Sequence, residues 1–101
     1  MLEGQSGLDD GVSMSPMELR KTLESIVVRN SRLKLTGVED GHRLAVDLGF
    51  DSLAFLLAVG DLESQLEIDF PLDRIDDLRE MTFRDLIGIV SEERTRMAAG
   101  A

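Results

Sequence analysis

Few residues of this sequence have side chains and neighbours suited to chemistry. The strongest candidate is the pair Asp51-Ser52, at the head of an unbroken apolar run from Leu53 to Val59. A serine hydroxyl becomes a nucleophile only when a base takes its proton or an outside enzyme activates it. No base lies in plausible sequence reach of Ser52. The single histidine, His42, falls in a glycine-punctuated stretch and reads as a solvent-facing loop residue. There are no cysteines, which excludes a disulfide framework, a thiolate metal site and a cysteine nucleophile. Any thiol chemistry must therefore arrive on an added group. Glu39-Asp40-Gly41 and Asp73-Arg74-Ile75-Asp76-Asp77 are acidic, but neither spaces its oxygens as a calcium loop does. They read as solvated faces and a helix cap, and no metal site is expected. With no acid and base paired, no catalytic residue is assigned and the chain is not expected to be an enzyme.

The elements that must position Ser52 can be read from their caps. Ser15-Pro16-Met17-Glu18 matches a capping box with proline at the first helical position. Leu19, Leu23, Ile26 and Val27 follow at helical spacing, which predicts a first helix over about 16–30. From Asn30 to Asp51 no period is sustained, although Leu33, Leu35, Val38, Leu44, Val46 and Leu48 can still reach a core. A connection this long is usually functional when ordered. Asp51 is a good N-cap for a second helix through about Leu66. Its first turns are so apolar that the helix must be surrounded by core or expose a patch to a partner. Pro71 marks a break before a short third helix with Leu72, Ile75 and Leu78, and Thr82-Phe83-Arg84-Asp85 opens a fourth carrying Phe83, Leu86, Ile87 and Val90. The fold class expected is all-α, a four-helix bundle with a long first loop and a short third helix. Residues 1–15 read as a flexible tail, 16–96 as the domain and 97–101 as a flexible C-terminal tail.

Charge narrows the choice of partner. The 101 residues carry a formal net charge of −9 and only four aromatics. That argues against nucleic acid, which needs basic side chains and stacking platforms. Residues 16–50 sum to +1 and residues 51–80 to −7, so the middle of the chain is an acidic face for basic protein surfaces. No apolar run is long enough to cross a bilayer, and Met1-Leu2-Glu3-Gly4-Gln5 lacks the pattern of a signal peptide. A cytoplasmic monomer is expected.

Val46-Asp47-Leu48-Gly49-Phe50-Asp51-Ser52-Leu53 resembles the attachment motif of acyl carrier proteins, and the layout of residues 16–92 resembles theirs as well. Leu-Gly-Phe-Asp-Ser-Leu is similar to carrier domains of polyketide synthases, whereas Glu67-Ile68-Asp69-Phe70-Pro71 is more like discrete carriers. The resemblance implies that Ser52 accepts a covalent 4′-phosphopantetheine from coenzyme A, through a separate phosphopantetheinyl transferase. It implies that Asp51 helps dock that enzyme, that Leu53 anchors the helix start, and that Gly49 permits the tight approach. Thioester-bound acyl groups would then be shuttled among partners such as a ketosynthase or an acyltransferase, in polyketide or related secondary-metabolite synthesis rather than housekeeping fatty-acid synthesis.

Physics favours the same residue, because a helix N-terminus presents free N–H groups and a partial positive charge to a phosphodiester. Members of that family often place carboxylates early on the second helix, whereas residues 54–59 here are all uncharged and Asp61 and Glu63 come first. A mixed docking surface follows, with apolar residues such as Leu57 near the serine and acids further along. Two other readings use the same residues. An aminoacyl or peptidyl carrier shares the fold and the arm, and an unmodified helical adaptor would use Asp51-Ser52 only as a cap.

Overall fold

The computed structural model describes residues 14–100. Helix α1 spans Pro16–Asn30, α2 spans Ser52–Leu66, a short 3₁₀ helix η1 spans Leu72–Asp77, and α3 spans Phe83–Gly100. The architecture is all-α, with an isolated antiparallel bridge between Arg43 and Thr82 among the described residues. No described helix is long and apolar enough to cross a membrane.

Local chemistry sets each helix start. Ser15 Oγ accepts the Glu18 N–H while the Glu18 carboxylate accepts the Ser15 N–H, completing the capping box of α1. Thr82 and Asp85 make the same reciprocal pair at the start of α3. Helix α2 ends where Glu67 turns into the left-handed region at φ 56°.

The core draws one face from each long helix: Leu19, Leu23, Ile26 and Val27 of α1, Phe55, Val59 and Leu62 of α2, and Phe83, Leu86, Ile89 and Val90 of α3. Phe55 meets Phe70 edge to face, with ring centroids 5.7 Å apart. Of the apolar loop residues expected to reach the core, Val38, Leu44 and Leu48 are buried and Leu35 is half-buried, but Leu33 and Val46 face solvent. Within η1 no residue is fully buried: Leu72 is exposed and Ile75 packs partly against the core, while Leu78, the C-cap just beyond it, is buried.

Residues 1–13 of the expected N-terminal tail lie outside the described residues, while Met14 packs partly against the core and Ser15 is the cap. At the other end α3 continues past residue 96 to Gly100. The apolar spacing that marked this helix fades after Val90, but Ala98 and Ala99 are strong helix formers that extend it.

Candidate functional site

The long first loop is ordered by hydrogen bonds to α1, to the segment before α3 and, at its end, to the approach to Ser52. Leu44 is the hinge of this arrangement. Its N–H donates to the Met81 carbonyl at 2.9 Å, and its carbonyl accepts the Phe50 N–H at 2.9 Å. The loop is thereby fixed on one side to the segment before α3 and on the other to the approach to α2. Around it, Asp47 accepts the Arg43 N–H at 2.8 Å, and the Phe83 N–H reaches the His42 carbonyl at 2.8 Å. His42 closes a turn, its Nδ1 accepting the Glu39 N–H at 3.0 Å, which is a loop role and not a catalytic one.

Gly49 has φ +73°, and a Cβ built there would lie 2.7 Å from Leu33 Cγ. Only glycine suits both the left-handed backbone and the close approach. The turn at Gly49 lets Leu48 and Phe50, on either side of it, both enter the core, and the chain then reaches Asp51 in extended conformation.

Asp51 is the N-cap of α2. Its Oδ1 accepts the Ala54 N–H at 2.9 Å and its carbonyl accepts the Phe55 N–H at 2.9 Å, a cap worth about 1 kcal/mol. Its Oδ2 pairs with the Arg32 guanidinium at 2.7 Å. Ser52 is therefore the first residue of the helix, and its side chain is exposed. No described side chain hydrogen-bonds to its hydroxyl. The arrangement offers an accessible hydroxyl at the positive end of a helix dipole, with no base to activate it. Such a hydroxyl can be modified by another enzyme but cannot act alone.

Beyond Ser52 the helix divides sharply. Leu53, Leu56 and Leu57 are exposed (60%, 44% and 60%), while Ala54, Phe55, Ala58 and Val59 are buried. Spacing of three and four residues puts the three leucines on one outward stripe. Leu53 and Leu57, both expected at a docking surface, are thus free to face a partner, and Leu56 joins them.

The acids further along are placed differently. Asp61 Oδ2 binds Arg29 of α1 at 2.6 Å and Asn30 at 3.2 Å, and Oδ1 accepts from Gln65. The Arg29 hydrogen bond holds the Asp61 carboxyl below its usual range, partly offset by desolvation. Glu63 Oε2 accepts the Phe70 N–H at 2.8 Å, closing the turn after α2. Both carboxylates serve contacts within the fold. Sequence reasoning missed Arg29 and Arg32, whose partners lie 32 and 19 residues away and leave no local pattern. Among the described residues no group of three or more His, Asp or Glu side chains is placed to hold a metal ion.

The family described as phosphopantetheine attachment site matches residues 21–90, which contain all of this geometry. The chain belongs to that family. No curated protein and no solved structure shows a significant match to it. Members of the phosphopantetheine-binding family are non-catalytic carrier domains that hold 4′-phosphopantetheine covalently and work with acyl-processing enzymes and a phosphopantetheinyl transferase. The donor set around Ser52 fits that group. Asp51 satisfies the Ala54 N–H, while the first N–H groups of a helix have no intrahelical acceptor, and the Arg32 guanidinium pairs with the Asp51 carboxylate beside the serine.

Proposed function

We propose that this protein is an acyl carrier whose phosphopantetheine arm is attached to Ser52, and that it serves polyketide or related secondary-metabolite assembly. The observation that carries this reading is the exposed Ser52 hydroxyl at the first position of α2, inside Leu48-Gly49-Phe50-Asp51-Ser52-Leu53. When attached, the arm supplies a terminal thiol that holds acyl groups as thioesters.

The chain's own residues have defined tasks. Ser52 Oγ forms the new O–P bond to the phosphopantetheinyl phosphorus of coenzyme A, the P–O bond of the pyrophosphate to the nucleotide half breaks, and adenosine 3′,5′-bisphosphate leaves. The hydroxyl proton goes to a base of the transferase. Asp51 fixes the helix start so that the hydroxyl points to solvent, and it presents one charge to the docking transferase. Leu53 and Leu57 give partner enzymes an apolar contact close to the arm. Asp61 and Glu63, half-buried and bonded internally, add to the negative field of residues 51–80 that attracts basic partners. The apolar first turns of α2 and Phe50 support the polyketide-like setting, and Asp51 before the serine favours acyl over aminoacyl cargo.

The test is the intact mass of the chain after incubation with coenzyme A and a broad-specificity transferase. Wild type should gain one phosphopantetheinyl group, while Ser52→Ala should gain none and keep its helical circular dichroism. The loaded chain should then accept an acyl group from an acyltransferase and no aminoacyl group from an adenylating enzyme. Loading of Ser52→Ala, or charging by the adenylating enzyme alone, would overturn the reading.

A further inference from the structure

Arg32 lies 20 positions before Ser52, yet the fold delivers it to the residue beside the serine. Two neighbours latch its backbone to the chain that leads into α2. On one side Ser31 Oγ donates to the Leu48 carbonyl at 2.6 Å and accepts the Leu33 N–H at 2.9 Å. On the other, the Leu33 side chain covers Gly49 closely enough to exclude a Cβ there. Residues 31–33 and 48–49 therefore form one unit, and Arg32 projects from it to pair with Asp51 Oδ2 at 2.7 Å. The Arg32 side chain is 63% exposed. Its Nη2 approaches Asp51 Oδ2, and no other acceptor for the guanidinium is found among the described residues.

Leu33 is itself exposed to solvent, so burying Leu33 does not explain this latch. What it does is hold a cation at one position. The Asp51 carboxylate stands next to the attachment residue, and a diester on Ser52 would add a second anion one residue away. Arginine suits such a place because its planar fork can bond a carboxylate through one edge and a phosphate oxygen through another.

Resting on the Ser52 reading, we propose that Arg32 is the phosphate-positioning residue of this carrier. It binds a non-bridging oxygen of the serine phosphodiester while Asp51 holds the other side of the guanidinium. The root of the arm is thereby oriented against the loop between α1 and α2, and the two neighbouring negative charges are offset.

The test uses the full chain before and after loading with coenzyme A and a transferase, followed by intact mass and by NMR of phosphorus and of the arginine side-chain N–H groups. Loading should move the Arg32 N–H signals and leave those of Arg79, an exposed arginine of the η1–α3 link, where they were. The phosphorus resonance of loaded Arg32→Gln should differ from that of loaded wild type, and loaded Arg79→Gln should match wild type. Arg32→Lys should fall between. The Arg32 effect should shrink with added salt, because an exposed pair is screened over about 8 Å at physiological ionic strength. If wild type gains the mass but neither the Arg32 signals nor the phosphorus resonance responds, Arg32 does not bind the phosphate and the Ser52 reading stands. If wild type gains no mass, the Ser52 reading fails and this proposal fails with it. Should Arg32→Gln itself resist loading, the wild-type Arg32 signals before and after loading decide the matter.

Discussion

The two halves of α2 are built for different purposes. From Ser52 to Gly60 the large side chains of the outward face are leucines with no charge among them, each 44–60% exposed. From Asp61 onward the outward residues are polar, and their carboxylates are committed to Arg29, Asn30, Gln65 and the Phe70 N–H. Ordinarily apolar residues hold a fold together and charges meet solvent and partners. Along this outward face the assignment is reversed. The exposed leucines are available for binding, and the acids pin α2 to α1 and to the turn that follows it.

The largest effect that sharpens this contrast is Leu62→Ala set against Leu57→Ala. Leu62 is 1% exposed, and truncation should cost about 2–5 kcal/mol. The same change at Leu57 should stay within about 0.5 kcal/mol of wild type, and thermal melts of the two variants measure the gap. What Leu57→Ala should change is the lifetime of complexes with a partner enzyme. Dissociation should quicken at any salt concentration, since an apolar contact is not screened. Equal destabilisation of the two variants would place Leu57 in the core and remove the apolar docking face.

Next in size is Gly49→Ala. It meets both the left-handed backbone and the Leu33 side chain, so a loss of about 1–3 kcal/mol is expected. Because Gly49 leads into Asp51, chemical shifts of residues 50–53 should move further than those of α3. A neutral outcome in the melt would mean that the latch between residues 31–33 and 48–49 does not hold the approach to the helix.

The smallest expected effect belongs to Asp61→Asn, about 0.2–1 kcal/mol for a partly exposed ion pair. Its pH dependence identifies it. The folded carboxyl titrates below the ordinary 3.8, so its contribution is complete above the unfolded value and disappears as pH falls through the lowered one. The difference in stability between wild type and Asp61→Asn should therefore be present at pH 7 and close in strong acid. A carbon NMR titration of Asp61 should give a midpoint under 3.8. A midpoint at or above that value would mean that Arg29 does not hold the carboxylate in solution.

Sequence legibility follows the range of each interaction. The starts of α1 and α2 could be read from Ser15, Glu18 and Asp51 because a cap acts within four residues. Ser52 could be singled out because its neighbours Gly49, Phe50 and Asp51 are contiguous with it. Arg32 and Arg29 could not be found this way, since only the folded chain brings them to Asp51 and Asp61. Leu33 and Val46 are as apolar in kind as Leu44 and Leu48. What separates them is the network through Leu44 and Met81, which has no periodic trace. The acids at 61 and 63 were legible as charge but not as tertiary partners, because Arg29 and Asn30 lie on α1 and the Phe70 N–H on the turn leading to η1.

One measurement bears most directly on attachment at Ser52. The chain is loaded with coenzyme A and a transferase, digested, and its peptides fragmented by tandem mass spectrometry. The phosphopantetheinyl group should appear only on the peptide containing Ser52, with fragment ions that place it on that residue. A group found on Ser31, Ser64 or Ser91, or a chain that gains none under conditions that load a control carrier, would contradict it.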